Sequence, residues 1–164
     1  MQLQGKLFGW LGGRPAITRT VLQLKSMLRQ YRRNPIVIET ARRVMRAYNV
    51  PRENADAEVS ALYRFLNRHI RYTHDPVDVE LVQDPLVTLR MRTGDCDDIA
   101  LLAASLAESI GIPTRFVLYS GNSRPLPHHI FTEARTQAGW TALDTVWNRG
   151  VGNVPPGKLE LGGL

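Results

Sequence analysis

The one cysteine of this 164-residue chain, Cys96, sits in the run Thr93-Gly94-Asp95-Cys96-Asp97-Asp98, at the head of an apolar, alanine-rich stretch that reaches Ser109. A thiol in the first turn of a helix faces unpaired backbone N–H groups and the positive end of the helix dipole, and both favour the thiolate. These residue types at this place predict a nucleophile. Free cysteine is otherwise most often a small buried hydrophobe. Three acids beside an inert buried thiol would be costly unless that helix end faces solvent or a cleft, so the setting favours chemistry over packing. The same carboxylates oppose the thiolate, and the dipole together with an imidazolium must outweigh them.

A base and its orienting carboxylate are expected downstream. Residues 128–135 and 140–146 alternate apolar and polar side chains and are separated by Thr136-Gln137-Ala138-Gly139, the pattern of a β-hairpin. Joining the strands across those four residues pairs Arg135 with Trp140. Asp144 then falls opposite Phe131 and diagonal to His129 on one face, with His128 on the other. An aspartate must reach one imidazole nitrogen while the other faces the thiol, so parity selects His129 and Asp144. A single β-bulge would reverse the choice in favour of His128.

Duller readings apply to the remaining candidates. Cys96, His129 and Asp144 are also a mixed ligand set for zinc, but the close ligand pairs usual in zinc sites are absent from the sequence. His69 and His74 have no partner by spacing and read as surface or core residues. Trp140 and Trp147 read as packing beneath the hairpin. Glu133 shares the inferred face of His129 and reads as a solvated strand residue, with substrate contact as the alternative.

Three segments, "TGDCDDIALLAASLAESIGIPTRFV", "HIFTEA" and "WTALD", make the stretch from about residue 60 to 147 resemble a transglutaminase-like domain, a branch of the papain-like cysteine enzymes. The resemblance implies an α+β fold, in which a helical N-terminal part and a catalytic helix pack on a small antiparallel sheet. It also implies cysteine, histidine and aspartate in that chain order, mapped onto Cys96, His129 and Asp144. One departure is Phe131, where the family more often has tryptophan two residues after the histidine.

The expected reaction is thiol-dependent acyl transfer on an amide bond, in which Cys96 attacks, His129 shuttles the proton and Asp144 holds the imidazole tautomer. Hydrolysis, by a cysteine peptidase or amidase, is favoured over cross-linking. The Cys96 backbone N–H is expected to supply one oxyanion donor, and Gln83 and Tyr72 are the candidates for the second. No organic cofactor is implied, and there is no calcium-loop pattern. The expected partner is a peptide or protein amide substrate. The competing reading is a structural or interaction module, similar to small bacteriophage virion or tail proteins, docking through N- and C-terminal arms with the triad vestigial or accessory.

Positioning such a site requires a particular order of elements. Apolar stripes at helical spacing, Val21, Leu24, Leu28 and Tyr31, then Val37, Ala41, Val44, Met45 and Tyr48, predict two helices parted at Asn34-Pro35. A third, capped near Asn54 or Asp56, runs to about Arg71. Residues 72–84 read as irregular or a short strand, 85–91 as a short helix and 114–119 as a strand. Residues 120–127, rich in Gly, Asn, Ser and Pro, read as a loop walling the cleft. The division expected is an N-terminal arm (1–15), one domain (16–147, with a helical front 16–71 and a catalytic core 72–147) and a C-terminal arm (148–164).

With 43% hydrophobic residues, the length suits one core. A single cysteine excludes an internal disulfide and gives no sign of an oxidising compartment. The glycine-broken head lacks a signal-peptide core and no segment is long enough to span a bilayer, so cytoplasmic synthesis is expected, with incorporation in a phage particle under the competing reading. The net charge of +6 belongs to the front: residues 1–93 carry 16 Lys/Arg against 8 Asp/Glu, and residues 94–164 carry 5 against 7. Charge opposite an apolar stripe is the ordinary solvated face of an amphipathic helix, so a nucleic-acid partner is not expected.

Overall fold

The structure is a computed structural model and describes residues 13–74, 82–122, 124–147 and 149–162. Five helices are met in chain order: α1 (Gly13–Tyr31), α2 (Pro35–Ala47), α3 (Ala55–His69), α4 (Pro85–Met91) and α5 (Cys96–Ser109). Their starts follow local chemistry. Asn34, Asn54 and Asp84 each accept a backbone N–H through the side chain at the N-cap of α2, α3 and α4, and Pro35 and Pro85 occupy first-turn positions where no N–H is needed.

Helix α5 is apolar nearly all round, and 11 of its 14 residues are buried. A helix of that kind has to be enclosed on every side. Val37, Ala41, Val44, Leu62 and Leu66 of α2 and α3 pack with Ile99, Leu102 and Leu106 on one side. Ile17, Val21, Leu24 and Leu28 of α1 meet Ala100, Leu101 and Ala104 on another, together with Phe116, Leu118 and Ile130 from the sheet.

That sheet is antiparallel, in the order β5-β4-β3-β6, with β3 Thr114–Ser120, β4 His129–Thr136, β5 Gly139–Leu143 and β6 Lys158–Leu161. The hairpin register pairs Arg135 with Trp140 and Thr132 with Leu143, as the spacing of the turn requires. No bulge interrupts this register between Thr132 and Thr136. A small parallel pair, β1 (Arg71–Tyr72) with β2 (Thr93–Gly94), ties the end of α3 to the entrance of α5. Of the segment expected to be irregular, residues 75–81 lie outside the described residues.

Residues 13–15 already belong to α1, and residues 1–12 lie outside the described residues. The C-terminal stretch returns to the sheet: β6 pairs antiparallel with β3, Val117 opposite Leu161 and Tyr119 opposite Leu159. Four residues flanked by prolines and glycines are too short for periodicity to reveal, and the register is supplied by the partner strand. Arg14 of α1 reaches Glu160 of β6 at 3.1 Å, so the two ends of the described chain meet. None of the described helices is long and apolar enough to cross a membrane.

Candidate active site

Cys96 is the first residue of α5. Asp95 is its N-cap and, with Asp98, forms a complete capping box: Asp95 accepts from the backbone N–H groups of Asp97 and Asp98, and Asp98 accepts from that of Asp95. This box fixes the turn that carries the thiol. Gly94 permits it, because a Cβ there would lie 2.7 Å from Asp98 Cβ and 3.3 Å from Thr88 Cγ2. The glycine of the Gly-Asp-Cys run thus serves close packing between the helix entrance and α4.

Asp98 is fully buried. Its carboxylate takes the Gln83 backbone N–H at 2.6 Å on one oxygen and the Gln83 side-chain amide at 2.7 Å on the other. Burial and neighbouring Asp95 push its pKa up, and the Gln83 donors pull against them. The Gln83 amide thus gives one N–H to Asp98, and its nitrogen also lies 3.5 Å from the Thr93 carbonyl oxygen. Tyr72, the other candidate oxyanion donor, has its hydroxyl 3.3 Å from His74 Nδ1. Asp95, Asp97 and Asp98 come within 4.8 Å of one another. The carboxylates of Asp95 and Asp98 are engaged in the capping box and with Gln83.

On the hairpin, His129 and Asp144 are both buried, and His129 Nε2 lies 2.7 Å from Asp144 Oδ2. The second oxygen of Asp144 accepts the Val146 backbone N–H at 2.9 Å, so the carboxylate is held from both sides. With Asp144 accepting from Nε2–H, Nδ1 carries the free lone pair. The next residue along, Ile130, donates its backbone N–H to the Cys96 sulfur, and the charge of Asp144 is also felt there. The fold thus brings Cys96, His129 and Asp144 into one neighbourhood from α5, β4 and the end of β5. Cys96, Val82 and Leu126 each pack against the core shared by α1, α5 and the sheet.

The electrostatic balance at the thiol differs from the one expected at a helix start. Burial, then Asp95 and Asp97, push the Cys96 thiol well up, and only the Ile130 N–H pulls it down. Partial burial and the flanking acids thus act against the helix dipole.

His128 lies edge-on to Tyr119 with ring centroids 5.4 Å apart, and Tyr119 also meets Trp147. Burial and the nearby Arg124 and His129 lower the pKa of His128. His69 packs against Phe65, and His74 against Tyr72. Glu133 is not solvated: it is buried and holds the Arg115 guanidinium at 2.6 Å. Trp140 does not pack beneath the hairpin either, being 38% exposed with Arg115 4.4 Å over its ring. Trp147 lies edge-on to His129 at 5.3 Å and to Tyr119 at 5.5 Å. Trp147 packs on the hairpin as expected, with Phe131 and Ala142; its edge contact with His129 is what sequence reasoning missed, and its closeness to Asp144 in the chain was the available signal. Two open surface clefts flank β6 and are lined by none of the three site residues.

Residues 38–145 match the family profile described as the transglutaminase-like superfamily. Among solved structures, the chain is similar to a candidate protease from Parabacteroides distasonis, with 14% identity and a TM-score of 0.62 over 78% of this chain and 26% of that one. A candidate cysteine protease from Cytophaga hutchinsonii is similar at 20% identity and a TM-score of 0.52, over 66% of this chain and 37% of that one. The chain thus spans only about a quarter to a third of these neighbours. No protein of curated function matches it by sequence. The family match covers most of the chain, from α2 to the carboxylate that holds His129, and on that ground the chain belongs to the transglutaminase-like superfamily.

Proposed function

We propose that this chain carries out thiol-dependent acyl transfer on an amide bond, with hydrolysis as the outcome, as a cysteine peptidase or amidase. The observation that carries the reading is the buried His129–Asp144 contact at 2.7 Å, one residue from the backbone N–H that binds the Cys96 sulfur. The family and the candidate proteases among the structural neighbours agree with a peptide amide as substrate.

Proton removal from the thiol accompanies attack. The sulfur bonds to the amide carbonyl carbon as His129 Nδ1 takes the thiol proton, and Asp144 stabilises the imidazolium. Collapse of the tetrahedral intermediate breaks the C–N bond, and the imidazolium returns the proton to the departing amine. Water, deprotonated by His129, then cleaves the thioester, releasing the acid and regenerating the thiol. The Cys96 backbone N–H at the start of α5 is one donor for the oxyanion.

The test is exposure of the purified protein to a library of peptide and cell-wall amides, followed by intact-mass and fragment analysis. The expected result is an acyl mass on Cys96 that decays with release of the free acid, and its absence in Cys96→Ser. Acylation of other residues only, or none across the library, would refute the reading.

A further inference from the structure

Residues beyond 145 lie outside the stretch matched by the family, yet they touch the candidate site at several points. Val146 donates its backbone N–H to Asp144, and Trp147 sets its ring against His129 and Tyr119. From there the chain is fastened along its length. Gly150 donates its N–H to the Tyr63 hydroxyl at 2.9 Å, and Gly152 donates to the Ala142 carbonyl at 2.8 Å. Val154 joins Val117, Tyr119, Phe131, Ala142 and Trp147 on the sheet face away from α5.

The last fastening is the tightest. The Tyr119 hydroxyl donates to the Pro156 carbonyl at 2.9 Å. At Gly157 a Cβ would overlap the Tyr119 ring and stand 2.6 Å from the Ser120 carbonyl oxygen, so only hydrogen fits. Strand β6 follows at once, held on β3 and by Arg14 and Lys158 around Glu160. Tyr119 therefore contacts both ends of this segment: Trp147 at its start, Pro156 and Gly157 at its close.

We propose that the segment from Thr145 to Leu161 is a latched strap that positions the His129–Asp144 pair, with Trp147 as the positioning residue and the Tyr119–Gly157 contact as the latch. The inference rests on the proposed acyl-transfer role. Its physical basis is restriction: the Val146 N–H fixes one carboxylate oxygen, and the Trp147 ring limits the tilt of an imidazole whose other edge must meet the thiol. A misplacement of about 1 Å at a reacting group can cost on the order of a hundredfold in rate. The strap acts through His129 and Asp144 and need not touch substrate.

The test uses the full chain and an activated ester, p-nitrophenyl acetate, whose acyl group moves to Cys96 with release of p-nitrophenolate and transfer of the thiol proton to His129. Acylation rate is followed against pH for the unaltered protein, His129→Ala, Trp147→Ala, Trp147→Phe, Gly157→Ala and Tyr119→Phe, with folding checked by circular dichroism. Trp147→Ala and Gly157→Ala are expected to lose about tenfold to a hundredfold near neutrality and to keep only the alkaline limb, where the thiol ionises unaided. Trp147→Phe should recover to within about threefold, since an aromatic edge still meets the imidazole. Should Gly157→Ala fail to fold, Tyr119→Phe removes only the hydroxyl and carries the latch test, with a loss of the same sign. Strap variants that keep the unaltered pH profile while His129→Ala loses its neutral limb would overturn the strap alone. An unchanged profile in His129→Ala would overturn the acyl-transfer reading beneath it.

Discussion

At the scale of single residues, the site depends on how buried polar groups find partners. Asp98, two positions from the nucleophile, is fully buried and satisfied by Gln83 and the Asp95 backbone. Its pKa is raised by burial, so the folded protein binds its proton more readily than the unfolded chain does. Asp98 therefore favours the fold at acid pH, and that contribution is lost as pH rises from about 4 through the raised folded-state value. Gln83→Ala removes a donor needed only by the charged form. Urea denaturation should give a loss of about 1.5–3 kcal/mol at pH 7 and a smaller one near pH 4; equal losses at both would contradict this account. The place of Cys96 at the start of a helix and the His129–Asp144 contact across the hairpin were legible in the sequence, because capping residues, strand alternation and turn length fix where side chains point. The Gln83–Asp98 bond, the upward push on the thiol and the contact of Trp147 with His129 were not legible. They depend on which loop lies over which helix end, and periodicity carries no record of that.

Elements position these residues by close contact. The Gly94 entrance to α5 is the sharpest case, since a methyl group there collides with Asp98 Cβ, which the capping box holds in place. Gly94→Ala should cost about 1–3 kcal/mol in thermal or denaturant unfolding; an unchanged midpoint would show that the entrance can relax. Helices α2 to α5 and strands β3 to β5 could be read from the sequence because each carries a cap, a proline boundary or a long apolar pattern. Strand β6 has none of these, and its Leu159 and Leu161 remain partly exposed even in place. What defines β6 is the register it takes from β3, a partner some forty residues earlier.

For the whole molecule, the helical front encloses α5, the sheet supports it from the other side, and the C-terminal segment folds back over the far face of the sheet. The basic character of the front remains on exposed positions of α1 and α2, among them Arg19, Arg29, Arg42 and Arg43, opposite buried apolar stripes. That is the solvated arrangement expected from the sequence. The central claim is that groups carried by α5, β4 and the end of β5 work as a single device. Groups that act as a unit have non-additive losses. The most direct measurement is the single-turnover rate of Cys96 acylation by p-nitrophenyl acetate at neutral pH in His129→Ala, Asp144→Ala and the double variant. The account predicts a loss of about a hundredfold or more for His129→Ala, with little further loss when Asp144→Ala is added. Losses that multiply in the double variant, or a His129→Ala rate equal to that of the unaltered protein, would contradict it.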